Sequence, residues 1–472
     1  MPEQKTILSK ALTGIEGLDE VLNGGLPRNR TTLVCGSAGC GKTLLGAEFL
    51  VNGATMFDEP GVFMAFEETE KDLSENVASL GYDLPDLVRA KKIAVDHVHI
   101  DRENIYETGE YDLEGLFIRL EHAINSIGAK RVVLDTVETL FSGLTNTFVL
   151  RTELRRLFHW LKNRGVTAVI TGEKGEATFT RHGLEEYISD CVILLDHRVS
   201  EQVSTRRLRV LKYRGSTHGT NEYPFIIDDD GITVLPITSL LLDHAISEER
   251  IASGIKKLDD MLGGRGYYRG STIMISGTAG TGKTSIVSHF AEAACIRNER
   301  VLYFTFEESP NQVLRNMRSI GIDLKPWIDK GLLQFNAVHP LMLGTERHLV
   351  TILKEVGRFK PDIVIVDPLN DFLTIENETE VRAMLTRIFS YLKGKGITAL
   401  FTSLTGGGSH PEQSSASVSS LIDTWLLLRN IEIDNNRKRD LYILKSRGMA
   451  HSSRINEFVL TDRGVELLLH DQ

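Results

Sequence analysis

The chain has 472 residues, 41% of them hydrophobic and 25% charged, a globular composition with ample apolar material for cores. Its 54 Lys and Arg against 64 Asp and Glu leave a formal net charge of −10, so no overall positive field draws in a polyanion and nucleic-acid binding is disfavoured. Four cysteines (Cys35, Cys40, Cys191, Cys295) form no zinc-type cluster, and no stretch approaches the roughly 20 apolar residues of a membrane helix, so a reducing, cytoplasmic setting without membrane contact is expected.

The first predicted strand, TTLVCG, follows an opening segment TGIEGLDEVLNGG and runs into Gly36-Ser37-Ala38-Gly39-Cys40-Gly41-Lys42-Thr43, after which KTLLGAEFLVNGA reads as a helix. This is G-x-x-x-x-G-K-[ST] in the strand-to-helix context that the pattern requires. The glycines let backbone N–H groups from Gly36 to Leu44 turn toward phosphates, Lys42 meets the β/γ charge, and Thr43 offers a hydroxyl to Mg²⁺. Cys40 puts a thiol inside this loop, which raises oxidation sensitivity as a minor alternative role. The apolar run GVFMAF then closes on Glu67 and Glu68. Neighbours on a strand point to opposite faces, so at most one of the two readily faces a γ-phosphate. A carboxylate there is placed to act as a base in phosphoryl transfer. RVVLDT ends in Asp135, which beside a P-loop reads as a metal or metal-water ligand rather than a helix cap. ELRRLFHWLKNRG sets Leu154, Leu157, Phe158 and Leu161 at helical spacing before the strand VTAVIT, and LKYRGSTH carries Lys212, Arg214 and His218.

The same order then recurs about 240 positions later. SGIKKLDDMLGG from Ser253 repeats the opening, and STIMISG leads to Gly277-Thr278-Ala279-Gly280-Thr281-Gly282-Lys283-Thr284, with Ser285 next on the helix. Glu307 and Glu308 follow VLYFTF, Asp367 ends DIVIVD, and LKSRGMAH carries Lys445 and Arg447. Leu385, Ile388, Phe389 and Leu392 repeat the amphipathic helix. The expected fold is α/β: two tandem P-loop domains, 1–246 and 247–472, each a mainly parallel sheet flanked by helices. Two nucleotide sites holding ATP and Mg²⁺ follow, with Thr43 and Asp135 at the metal of one and Thr284 and Asp367 at the metal of the other.

The paired P-loops, the FEET and FEES segments, and LKYRGSTH with LKSRGMAH closely resemble the KaiC family, tandem RecA-like ATPases and autokinases of the cyanobacterial circadian clock and its bacterial relatives. The resemblance spans nearly the whole chain. It implies stacked rings of six subunits with ATP at subunit interfaces, where Lys212, Arg214, His218, Lys445 and Arg447 reach a neighbour's γ-phosphate. By itself, a Lys-x-Arg on an alternating strand reads as a solvated face. The resemblance also implies slow hydrolysis in the first domain with Glu67 as base, and serine/threonine autokinase and autophosphatase activity in the second with Glu307 as base. A KaiB-like adapter is implied on the first domain, where the acidic stretch His99 to Gly115 is the positional candidate. Clock relatives recruit KaiA through a tail beyond the point where TDRGVELLLHDQ ends, so dependence on KaiA is not expected.

Alignment of the two halves through Asp190 and Asp423 sets Glu186 and Tyr187 against Ser419 and Ser420. Ser419 and Ser420 take the position of the family's adjacent Ser and Thr phosphoacceptors, within a segment that also holds Ser409, Ser414, Ser415 and Ser417. Ile422 replaces a further family Thr, which puts ordered cycling between acceptors in doubt. In the bland reading these serines only satisfy turns. Two rival functions stay open: a nucleotide-switched scaffold, and a RecA-like DNA motor. The second is disfavoured because no Lys or Arg stands between Lys395 and Arg429, while Lys174 and Arg181 lie among Glu173, Glu176, Glu185 and Glu186.

Overall fold

The computed structural model describes residues 8–98, 113–140, 147–175, 188–200, 203–236, 247–337, 344–370, 372, 378–405, 419–433 and 436–468. The chain divides into two compact units, Met1–Thr238 and Ser239–Gln472. The adapter candidate before Leu113, the positions Glu176, Arg181, Glu185, Glu186 and Tyr187, and Ser409 through Ser417 lie outside the described residues, as does most of the junction between the units.

In the first unit the strand Thr31–Gly36 is buried at every position, as a run covered by helices on both sheet faces requires. Its side chains alternate between two cores. Val34 shares one with Leu45 and Phe49 of the P-loop helix Lys42–Met56, whereas Leu33 and Cys35 share the other with Leu154, Leu157 and Leu161 of helix Thr147–Asn163. Parallel pairing joins this strand to Thr167–Glu173 and, on its other side, to Cys191–Ser200. From Thr167–Glu173 the parallel order continues through Arg131–Asp135 and Gly61–Ala65 to the edge strand Ile93–His97.

On the opposite flank Cys191–Ser200 is separated by two residues of chain from Val203–Tyr213, followed by Glu222–Asp228 and Gly231–Val234, all antiparallel. A connection that short cannot make a parallel crossover, so the nine-stranded sheet is mixed, with a parallel centre and an antiparallel closing meander. The second unit repeats the order. Thr272–Gly277 lies between Thr398–Leu404 and Thr424–Ile433; beyond the first come Ile363–Asp367, Val301–Thr305 and Leu333–Ala337. Beyond the second come the antiparallel strands Asn436–Ser446, Asn456–Thr461 and Gly464–Leu467. Leu385, Ile388, Phe389 and Leu392 of helix Glu378–Gly394 are buried, as their spacing predicts. No helix among the described residues is long and apolar enough to cross a membrane.

One charged anchor belongs to the first unit alone. Arg131 opens its strand with its side chain 1% exposed, donating to Glu59 Oε2 at 2.7 Å, Phe49 O at 2.8 Å and Leu12 O at 2.8 Å, with the Phe49 ring 4.4 Å away. The corresponding strand of the second unit starts with Ile363. Burial opposes ionisation of Glu59, but hydrogen bonds from Arg28 and Arg131 outweigh it and hold the carboxyl below its usual range. A depressed carboxyl contributes stability that is present above its unfolded pKa of about 4.3 and is lost as pH falls through the lower folded value. Glu59→Gln leaves a buried cation without its counter-charge and destabilises the first unit by about 3 kcal/mol, read as a lower denaturant midpoint at pH 7 that converges on the parent's in acid.

Candidate nucleotide sites

Each P-loop begins where a side chain has no room. A Cβ on Gly36 would lie 2.4 Å from Leu195 O, and one on Gly277 2.6 Å from Leu428 O. The loops then turn through left-handed backbone at Gly41 (φ 101°) and Gly282 (φ 97°), which delivers the helix N-termini to the loop mouth. Helices Lys42–Met56 and Lys283–Ile296 start with no side-chain cap, so their first N–H groups are left for an anion. Lys42 folds back over its loop, donating to Gly36 O at 3.0 Å and Ser37 O at 2.9 Å. Lys283 does the same to Gly277 O and Thr278 O, both at 2.9 Å. A Cβ at position 41 would meet Ile227 Cδ1 at 2.8 Å in addition to the left-handed strain of about 1–2 kcal/mol. Gly41→Ala is therefore expected to weaken ATP binding to the first domain about tenfold and to leave the second domain unaffected, measured by nucleotide titration of each site.

The carboxylates divide in the same way in both units. Asp135, at the end of its strand, accepts from Thr171 Oγ1. Burial pushes its carboxyl up, against hydrogen bonds from Thr171 and Thr43 and the charge of Lys42. Thr43 and Asp135 therefore meet at the foot of the P-loop. Asp367 accepts from Tyr303 Oη at 2.8 Å and from Thr402 Oγ1. Glu67 accepts from Thr139 Oγ1 and adds its charge to that of Asp135. The charges of Asp367 and Glu307 both bear on buried Lys283, whose ammonium is pushed down by burial. The second glutamate of each pair has an asparagine partner instead: Glu68 accepts from Asn76 Nδ2 at 3.2 Å, and Glu308 from Asn316 Nδ2 at 3.4 Å.

Burial pushes up the Glu68 carboxyl, with Asn76 opposing. Burial likewise pushes up the fully buried Cys40 thiol against the charge of Lys42, which disfavours the thiolate that oxidation chemistry needs. Thr281 stands in its place in the second loop, donating to Thr278 O at 2.8 Å.

A cavity of about 460 Å³ opens over the first P-loop, lined by Gly39, Lys42, Thr43, Glu68, Asn76 and Arg206 among others. Arg206 was not expected from the motifs. Its Nε is buried without a hydrogen-bond partner among the described residues. The same repeat offset that relates the two LKxRG segments takes Arg206 to Arg439, whose Nε donates to Gly280 O at 3.4 Å. Both units thus aim an arginine from the antiparallel flank at their own P-loop.

The other predicted cations lie elsewhere. Lys212 pairs with Val192, which pairs with Leu33, whereas the P-loop starts at Gly36. Lys212 is therefore about 10 Å down the sheet from its own P-loop and about 10 Å across it. Arg214 caps the same end, donating its N–H to Asp190 O at 2.9 Å. His218 stacks on Tyr213 with ring centroids 6.3 Å apart. In the second unit Lys445 is level with Trp425 and Met274, and Arg447 N–H donates to Asp423 O at 2.9 Å. Ser419–Leu421 forms a 3-10 turn just before Asp423, whose N–H donates to Thr272 O at 2.9 Å, at the start of the P-loop strand. About 16 Å of strand separates that level from Gly277. Each unit thus carries its P-loop at one end of the sheet and its paired cations at the other. In the second unit the serine turn shares the cation end.

Comparisons with known proteins agree with this architecture. The family model described as "ATPase: KaiC" matches residues 11–239 and 251–472. The chain is 56% identical over 467 residues to the circadian clock protein KaiC2 of Synechocystis sp., covering 98% of this chain and 82% of that protein. It is 38% identical over 464 residues to the circadian clock oscillator protein KaiC of Parathermosynechococcus lividus, covering 98% and 85%. The KaiC of Synechococcus elongatus is likewise 38% identical over 464 residues, covering 98% and 89%. With two P-loop units, each built round the same mixed sheet and each matched by the family model, the chain belongs to the KaiC family of ATPases.

Proposed function

We propose that the protein is a homohexameric ring ATPase in which each second domain phosphorylates Ser419 and Ser420 of a neighbouring copy, acting in circadian or stress-related timing. The carrying observation is the separation just described. Lys445, Arg447 and the serine turn stand at the sheet end remote from their own P-loop, so they meet a γ-phosphate only on another copy. A ring with nucleotide between subunits supplies that meeting. Lys212, Arg214 and His218 serve the first-domain sites in the same way.

Within each site, Gly36 to Leu44 and Gly277 to Ser285 bind the phosphates, with Lys42 and Lys283 on the β/γ charge. Arg206 and Arg439 reach the nucleotide from the same chain. Thr43 with Asp135, and Thr284 with Asp367, fit Mg²⁺: one hydroxyl and one carboxylate leave room for phosphate oxygens and water, as that ion prefers. When bound, the ion neutralises phosphate charge. Glu67 and Glu307 are the bases: the charge of Glu67 bears on Asp135 and that of Glu307 on Lys283, while Glu68 and Glu308 accept from Asn76 and Asn316. In the first domain Glu67 takes a proton from water. In the second, Glu307 takes the serine hydroxyl proton as the Oγ–P bond forms and the bond from the γ-phosphorus to the bridging oxygen breaks, leaving ADP. Autodephosphorylation is assigned to this second site, and a KaiB-like adapter to the first domain.

Incubation with ATP and Mg²⁺ followed by intact-mass measurement and phosphosite mapping tests the reading. One or two added phosphoryl groups at Ser419 and Ser420 are expected. Active hydrolysis with no protein-bound phosphate would mark a nucleotide-switched scaffold instead.

A further inference from the structure

The turn that bears the serines is surrounded by cations of its own chain. Arg447 Nη2 donates to Ser420 O at 2.8 Å, which holds a guanidinium beside an exposed serine. Lys393, in the last turn of helix Glu378–Gly394, has its Nζ 2.7 Å from Asp423 Oδ2. Lys445 completes the group. Burial pushes its ammonium down, the charges of Arg447 and Lys393 push the same way, and Asp423 opposes them. Asp423 faces Lys393 and Lys445, and its Oδ2 also accepts from Thr272 N at 2.8 Å and Thr272 Oγ1 at 2.9 Å.

Among the described residues, three cations thus gather beside the turn while the carboxylate next to it is already engaged by Lys393 and Thr272, and the Ser420 hydroxyl carries no charge. The first unit is composed differently at this end. There Asp190 meets Arg30 at 3.3 Å and Arg214 at 4.0 Å, and Ser271 stands in the second unit where the first has Arg30. In sequence the first domain also places a permanent carboxylate, Glu186, opposite Ser419. A phosphoryl group on the second-domain turn supplies about −1.5 to −2 charges and three acceptor oxygens, the complement of a guanidinium fork backed by ammonium groups.

We propose that phosphorylated Ser420 is a ligand for its own chain, captured by Arg447 with Lys445 and Lys393 behind it, and that this capture withdraws Arg447 from the neighbour's nucleotide. The phosphorylated turn is then a competitive stand-in for the γ-phosphate, and phosphoryl transfer limits itself. The withdrawal rests on the reading that Arg447 acts across the subunit boundary; the capture does not.

The test installs phosphoserine at position 420 of the full chain during translation, so that it does not depend on the protein's own kinase activity. In a ³¹P titration the second pKa of this phosphoserine is expected below the value near 6 of a free phosphoserine, and Arg447→Ala restores it. A pKa near 6 that Arg447→Ala does not move would overturn the capture. In a Glu67→Gln background that silences the first domain, second-domain ATP turnover of the phosphoserine protein is expected at least about fivefold below that of the unmodified chain. Equal turnover alongside a depressed pKa would overturn the withdrawal. Intact-mass measurement of the unmodified chain after incubation with ATP reports separately on the kinase reading, and its failure would leave the capture standing.

Discussion

Arg447→Ala is expected to lower second-domain phosphoryl transfer by about 10³-fold or more, the scale at which a guanidinium supplied to a transferring phosphoryl group acts. On that reading the guanidinium meets the charge that develops on the equatorial oxygens of the transferring group. Arg447→Lys keeps the charge but loses the planar fork, so it recovers only part of the rate. The fold itself loses little: the Arg447 side chain is exposed and, among the described residues, its hydrogen bond goes to a backbone carbonyl of the serine turn, so unfolding shifts by no more than about 1 kcal/mol. The variant also leaves nucleotide affinity of its own P-loop unchanged, because Arg447 is remote from it. Loss of affinity at that same P-loop would place the arginine in cis and would contradict the geometry.

Glu307→Gln is expected to cut serine phosphorylation by about 10²- to 10⁴-fold, the usual worth of a positioned general base. The amide matches the carboxylate in shape but accepts no proton at neutral pH. Glu308→Gln is expected to cost far less, since Glu308 is engaged by Asn316 rather than turned toward Lys283. In the first domain Glu67→Gln and Glu68→Gln should divide in the same sense for hydrolysis, because Thr139 and Asn76 separate that pair in the same way. Rates are read from quenched time courses of phosphoserine and of released phosphate. If Glu308→Gln proves the more damaging of its pair, the assignment of the base is reversed.

Much of this architecture could be read along the chain, because its strongest signals are local. A buried apolar strand, a glycine turn and an uncapped helix stand within a few residues of each other at Thr31–Thr43 and again at Thr272–Thr284. Helical spacing likewise placed Leu154 to Leu161 and Leu385 to Leu392 in the cores. The antiparallel meander was less legible. Lys-Tyr-Arg and its neighbours look like any alternating strand, and the direction follows from the two residues of chain that separate Ser200 from Val203. Arg206 and Arg439 escaped motif reading because they lie outside every phosphate-binding pattern; their shared repeat offset was the available signal. Local sequence does not separate Glu67 from Glu68, because their partners Thr139 and Asn76 come from separate elements. The placement of Lys212 and Lys445 at the sheet end opposite their own P-loops followed from strand register, which residue spacing does not encode.

Transfer between copies is tested most directly by mixing two inactive chains. Lys283→Ala removes the second-domain donor site but keeps Ser419 and Ser420, whereas Ser419→Ala with Ser420→Ala keeps the donor site and removes the acceptors. Neither chain labels itself with γ-labelled ATP. After the two are mixed, dissociated and reassembled together, label is predicted on Ser419 and Ser420 of the Lys283→Ala chain. A mixture that stays unlabelled while wild-type chains label themselves would contradict transfer between neighbours.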